Sequence, residues 1–174
     1  MHTEGTTPAP GGPAPGGLDA LGEAACRHRA EGLRPEELPM LAAHALAADA
    51  DTPALCELAG LSPRTDPRDL RELFERALSE AGVAPPDRRV ARRHALRRAA
   101  AQLLADGITP DGLASEDWME TQGETAAERA FLALLPPCAC CLAYTVGLDR
   151  RTWEGRSRAA AGALVTAVPA VPGC

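Results

Sequence analysis

The chain has 174 residues, a length that suits a single hydrophobic core, and it carries a formal net charge of −6 at pH 7. An acidic chain does not suit a general nucleic-acid binder, and the scarcity of valine, isoleucine and tyrosine argues against a large β-sheet. All 18 basic residues are arginine, a bias typical of high-GC coding sequences, so the number of arginines by itself indicates no function.

Three regions follow one another along the chain. Residues 1–17 are rich in proline and glycine and have nothing to bury, so we predict that they are disordered. Residues 18–135 show helical periodicity and are predicted to form the folded domain. Residues 136–174 contain four of the six cysteines, are rich in alanine, valine and proline, and are poorly patterned. The expected fold is an all-α, compact bundle of about five to seven short helices.

The clearest helix signal lies at residues 66–82. Asp66 and Pro67 are a typical N-cap and first helical residue, and Gly82 supplies a left-handed exit. Leucines, alanines and Phe74 recur between them at spacings of three and four residues, which predicts a broad apolar stripe covered by other helices. Weaker signals predict further helices at 18–31, 35–46, 52–60, 87–105, 109–118 and 124–135, and permit one at 159–166.

Residues 38–118 combine this capped helix with a long arginine-rich helix and the sequence GITPDGLASEDW. In that combination they resemble a family of small, uncharacterised all-helical proteins of high-GC bacteria. The resemblance implies a shared helical fold, no assigned activity, and a further amphipathic C-terminal helix where this chain has its cysteine-containing tail. The positions that carry it are caps and core residues: Leu55, Leu58, Ala59, Gly60, Leu61, Asp69, Leu73, Phe74, Ala77 and Leu78.

One segment reverses the charge of the chain, because residues 86–104 carry a net charge of +5. Arg89, Arg93 and Arg97 repeat there at four-residue spacing on one helix face, which could contact an acidic protein surface or phosphate groups. We expect these three to be partner-binding residues. No helix-turn-helix spacing or aromatic platform accompanies them, so nucleic acid is the weaker interpretation of the cluster at 88–98. The alternative is a solvated face that pairs with acids of the same chain, such as Glu72, Glu75 and Glu80.

The sequence carries no secretory signal, and no apolar run reaches the roughly 20 residues of a transmembrane helix. We therefore expect a cytoplasmic protein whose cysteines are mostly thiols or metal ligands.

The cysteines concentrate in the sequence Cys138-Ala-Cys140-Cys141. Cys138 and Cys141 have the C-x-x-C spacing that lets two thiolates bind one zinc ion or form a reversible disulfide. Structural zinc normally requires two more ligands, and a thioredoxin-like site requires a βαβ unit that the sequence lacks. A third interpretation is that they are small buried or loop residues without a chemical role. The remote candidates for completing a zinc site are Cys26, His28, Cys56 and Cys174.

No catalytic motif accompanies these features. The chain lacks a P-loop, a dinucleotide fingerprint, an H-E-x-x-H and a G-x-S-x-G sequence, and no pattern places His94 beside Cys140 as a nucleophile–base pair. We therefore expect a non-enzymatic protein that acts by protein–protein contact, as an adaptor, immunity-type or regulatory protein. The first alternative is a helical domain stabilised by zinc or regulated by thiol redox chemistry, and the second is a nucleic-acid accessory protein.

Overall fold

The computed structural model describes residues 16–114, 118–136 and 138–167. Over these residues the chain forms nine α-helices and no β-strand, which confirms the all-α prediction. Two short 3₁₀ turns, at Pro35–Glu37 and Ala139–Cys141, complete the fold. The helices are α1 (Gly17–Arg29), α2 (Leu38–Ala47), α3 (Pro53–Ala59), α4 (Pro67–Glu80), α5 (Arg88–Leu104), α6 (Pro110–Ala114), α7 (Ala126–Leu132), α8 (Leu142–Thr145) and α9 (Arg150–Ala167).

The starts of the middle helices follow from their capping residues. The Asp66 carboxylate accepts a hydrogen bond from Arg68 N at 2.8 Å, directly before Pro67 begins α4. The Thr52 hydroxyl accepts from Leu55 N at 3.2 Å before α3. Beyond α4, Gly82 has a φ of 70°, the left-handed conformation that a helix exit commonly requires.

Helices α1 to α4 enclose the first core, in which α4 packs against α2 and α3. The apolar stripe of α4 is covered as its pattern predicts, because Leu70, Phe74 and Ala77 have no exposed surface. Helix α1 begins beside the turn that follows α2, where Gly17 N donates to Ala48 O at 2.9 Å. Gly17 is buried there, so the predicted leader of residues 1–17 ends earlier than expected. Residues 1–15 lie outside the described residues.

The second core joins α5, α6, α7 and α9. Here the structure differs from the sequence prediction, since α9 covers residues 150–167 and packs against both α5 and α7. Its buried face combines one large aromatic residue, Trp153, with Ser157, Ala161 and Leu164. Small residues at these positions bring the helices close together without a strong apolar stripe, which is why the sequence predicts only part of this helix.

A small third cluster links the end of α7 to the C-terminal helices. Trp153 is 1% exposed, and its indole Nε1 donates to Leu134 O at 2.6 Å. Leu142 of α8 packs in the same cluster as Trp153 and Ala114. The tail therefore contributes to the packed interior from Leu142 onward. None of the helices described is both long and apolar enough to cross a membrane.

Candidate functional site

The three arginines predicted as partner contacts lie on one face of α5 and bond to acids of the same chain. Arg89 Nε donates to Glu124 Oε1 at 2.8 Å. Arg93 bonds to Glu124 and donates from Nε to Glu128 Oε1 at 3.0 Å, and Arg97 donates to that same oxygen at 2.8 Å. The side chains of Arg93 and Arg97 are only 12% and 13% exposed. This geometry corresponds to intramolecular pairing.

Glu128 is the buried centre of this network, with no exposed side-chain surface. Its Oε2 accepts from Thr125 N at 2.9 Å and Glu124 N at 2.8 Å, and the Thr125 hydroxyl accepts from Glu128 N, which completes a capping box at the start of α7. Burial by itself raises the pKa of Glu128. The backbone donors and the guanidinium groups of Arg93 and Arg97 outweigh burial and lower this pKa to about 2.

The other arginines of α5 are paired as well. Arg88 and Arg92 lie 2.9 and 3.5 Å from Glu120, and Arg98 lies 3.7 Å from Glu23 of α1. All six arginines of this helix therefore have acidic partners within the chain.

These partners are not the acids that the sequence analysis named. Glu75 lies 3.5 Å from His28, and Glu80 accepts from Ala54 N at 2.8 Å. The expectation that the acids of the 66–82 helix pair with α5 is therefore wrong for both residues. The physical reason for this difference is that α5 packs mainly against α1 and α9. The arginines of α5 therefore contact acids from other segments.

A groove of about 1320 Å³ opens between the end of α1, the middle of α4 and the loop before α5. The left-handed Gly82 turns the chain out of α4 and begins this loop, and two prolines restrict its backbone. No periodicity in the sequence predicts the groove, because it arises where three segments meet. Its apolar lining comprises Ala25, Leu33, Leu78, Val83, Ala84, Pro85 and Pro86.

The two glutamates that line the groove both have contacts within the chain. Glu31 accepts from Arg88 at 3.1 Å. Glu75 lies 3.5 Å from His28 Nε2, and the His28 ring stacks edge-on against Phe74 with centroids 5.3 Å apart.

Two arginines of the lining, in contrast, have no hydrogen-bond or ion-pair partner in the described part of the chain. Arg29 belongs to α1 and Arg71 to α4, and both are exposed. The remaining acid, Asp87, is engaged as the N-cap of α5 and accepts from Arg89 N at 2.8 Å. The groove thus combines an apolar lining with two guanidinium groups available to a ligand.

The predicted metal residues Cys138 and Cys141 are brought together, and Cys140 joins them. The three Sγ atoms lie within 4.8 Å of one another, and those of Cys140 and Cys141 are 3.8 Å apart. Cys138 and Cys141 are half-buried, whereas Cys140 is exposed. Hydrogen bonds from the thiols of Cys140 and Cys141 lower the pKa of Cys138. The hydrogen bond with Cys138 raises the pKa of Cys141 to about 12.

The remote zinc-ligand candidates do not join this cluster within the described residues. Cys26 has no exposed surface and is disulfide-bonded, which differs from the expectation of a thiol or metal ligand. Cys56 is a free, exposed thiol on α3, and His28 lies at the groove. Cys174 lies outside the described residues.

His94 contacts α1 and is not a member of the cysteine cluster. Its Nε2 lies 2.6 Å from Glu23 Oε2, and this contact is the main reason that the pKa of Glu23 is lowered. His94 therefore contacts Glu23, and this contact gives no support to a nucleophile–base pair of Cys140 with His94.

Sequence reasoning missed Glu128 and the groove. Glu128 had a detectable signal, because Thr125-Ala-Ala-Glu128 matches the capping-box pattern directly before an apolar run. Comparison of the chain with family models, with curated proteins and with solved structures found no match, so its resemblance to a bacterial helical family stays a prediction.

Proposed function

We propose that the protein is a non-enzymatic binding protein that recognises another protein through the groove between α1 and α4. The observation that carries this proposal is that two guanidinium groups, those of Arg29 and Arg71, lie beside an apolar lining and have no partner among the described residues. An apolar groove that receives the apolar side chains of a partner segment is a recurring form of protein recognition.

The charges of the groove favour a partner segment with acidic side chains. Carboxylates form charge-assisted hydrogen bonds with guanidinium groups, and often bidentate ones. A partner segment that fits would place an apolar side chain against Val83, Pro85 and Pro86, which keep accessible surface, and acidic side chains toward Arg29 and Arg71. Arginine is also enriched at protein–protein interfaces, where it contributes a large share of the binding energy.

The groove is a better candidate than the arginine face of α5. Arg93 and Arg97 already use their guanidinium groups to compensate the buried Glu128. A partner carboxylate would have to compete with that buried ion pair, and removal of one member of such a pair destabilises the fold. The same argument disfavours phosphate contacts of a nucleic acid at this face.

Double charge reversal tests the proposal. Tagged full-length protein and its Arg29→Glu/Arg71→Glu variant would be expressed in the native cells, and co-purified proteins quantified by mass spectrometry. We expect the variant to lose at least one specific partner, because both groove cations become negative and repel acidic side chains.

The matched control is Arg64→Glu/Arg68→Glu. The guanidinium groups of these two exposed arginines also have no partner in the described part of the chain, they lie outside the groove, and their reversal gives the same change in net charge. The control should retain the partner. Loss of the partner in both variants, or in neither, would contradict recognition through the groove.

A further inference from the structure

We propose that Cys138, Cys140 and Cys141 form a three-thiolate site for a thiophilic d¹⁰ metal ion. The site is separate from the proposed groove, since its three sulfur atoms belong to the segment before α8. It also differs from the two-cysteine zinc hypothesis, because Cys140 is a ligand rather than a spacer.

The sulfur positions fit a common metal ion. With metal–sulfur bonds of about 2.3 Å, three thiolates around one ion lie about 3.8–4.0 Å apart, depending on whether the geometry is tetrahedral or trigonal. Cys140 and Cys141 already have this separation, at 3.8 Å. All three Sγ atoms lie within 4.8 Å of one another, so the largest adjustment required is below about 1 Å and is within reach of side-chain rotation.

The backbone explains why neighbours in sequence can converge. Cys141 N donates to Cys138 O at 3.0 Å, which closes a tight turn and returns the third cysteine to the side of the first. The Thr145 hydroxyl donates to Cys141 O at 2.9 Å, and Leu142 is anchored in the cluster around Trp153. The cysteine turn is therefore attached to a fixed point of the fold.

The chemistry of the donors selects the class of ion. Three thiolates favour soft cations such as Cu(I), Zn(II) or Cd(II) over Mg²⁺ or Ca²⁺. In the described residues the cluster offers three ligands, which suits a trigonal ion or a tetrahedral ion that keeps one position for water or an incoming ligand. Binding replaces each S–H bond by a metal–sulfur bond and releases the thiol protons to solvent.

Protons compete with the metal ion for the same sulfur atoms. The affinity of the site for the ion should therefore fall as the pH is lowered.

Cadmium titration tests the site directly. Full-length protein, treated with a mild reductant that leaves the buried Cys26 disulfide intact, would be titrated with CdCl₂ under anaerobic conditions while the ultraviolet thiolate-to-metal charge-transfer absorbance is followed. We expect saturation at one equivalent. Cys138→Ser, Cys140→Ser and Cys141→Ser should each weaken binding by more than the roughly 10–100-fold that the loss of an outer-shell partner causes.

Cys56→Ser is the matched control, because Cys56 is also free and exposed but belongs to α3. It should bind cadmium like the unmodified protein, and circular dichroism should show that every variant is folded. Absence of the charge-transfer band would overturn the proposal. Unchanged affinity in Cys140→Ser would show that only two thiolates bind the metal ion, and unchanged affinity in all three variants would show that the ion binds elsewhere. Either result would contradict the three-thiolate site.

Discussion

Glu128 is the residue on which the stability of the α5–α7 contact depends. It is fully buried, and its carboxylate compensates two arginines while it caps a helix. Removal of one member of a buried ion pair costs about 3–5 kcal/mol. We therefore expect Glu128→Gln to lower the free energy of unfolding by about 3 kcal/mol at pH 7, measured by urea denaturation.

Glu120→Gln provides the control for this substitution. Glu120 also pairs with two arginines of α5, but its side chain is 60% exposed. Exposed ion pairs typically contribute at most about 1 kcal/mol, so the control should remain close to the unmodified protein. Equal effects of the two substitutions would show that the burial of Glu128 has no energetic consequence.

The lowered pKa of Glu128 predicts a pH dependence with a definite sign. Its pKa is about 2 in the folded chain and near 4.5 in the unfolded chain, so the stabilisation is complete above about pH 5 and is lost as the pH falls toward 2. The difference in unfolding free energy between the unmodified protein and Glu128→Gln should therefore shrink between pH 5 and pH 2.5. A difference that is constant over this range would contradict the assigned pKa.

At the scale of the helices, the start of α1 makes a close backbone contact with the turn after α2. A Cβ atom at Gly17 would lie 2.5 Å from Ala48 O and 2.7 Å from Ala50 Cβ. Gly17→Ala should therefore destabilise the protein by about 1–3 kcal/mol, the usual effect of overpacking. The measurement is the thermal unfolding midpoint followed by circular dichroism.

At Gly22 of the same helix, we expect an alanine substitution to have the opposite effect on stability. No heavy atom beyond the helix lies within 4 Å of a Cβ built there. Gly22→Ala should stabilise the protein by about 0.5–1 kcal/mol, because alanine loses less backbone entropy than glycine in a helix. If both glycine substitutions shifted the midpoint in the same direction, the close contact at Gly17 would not be the cause.

Local chemistry made several helices predictable from the sequence. Thr52, Asp66 and Asp87 each accept a backbone N–H at the start of a helix, as caps with this chemistry should. Thr109 does the same for Gly112 N at 3.0 Å. Such signals depend on residues a few positions apart, so one sequence is sufficient to identify them.

The ion pairs of the α5 arginines could not be predicted in this way, and neither could most of helix α9. Arg93 meets Glu128 across 35 positions, and Arg158 donates to Leu103 O across 55. These contacts depend on how the helices pack. Within α9, alanine and glycine reduce the apolar periodicity on which prediction relies. The cysteine cluster is an intermediate case, because its spacing indicated two ligands and the turn adds Cys140.

At the scale of the whole molecule, Trp153 connects the C-terminal helices to the rest of the fold. It is buried, and its indole donates to Leu134 O. Truncation of a buried aromatic side chain costs about 3–5 kcal/mol. We expect Trp153→Ala to lose that amount in urea denaturation, whereas Tyr144→Ala, at a position 92% exposed, should change little. A small effect at Trp153 would mean that residues 142–167 contribute little to overall stability.

The two main cores become complete at different times during synthesis of the chain. Every buried residue of the first core lies between Leu21 and Leu78, whereas the second core needs Leu164, close to the C-terminal end. A ribosome at about 5–20 residues per second releases α1 to α4 several seconds before α9 emerges. The first four helices can therefore assemble during translation, while the apolar side of α5 that packs against α9 stays uncovered until α9 has been synthesised.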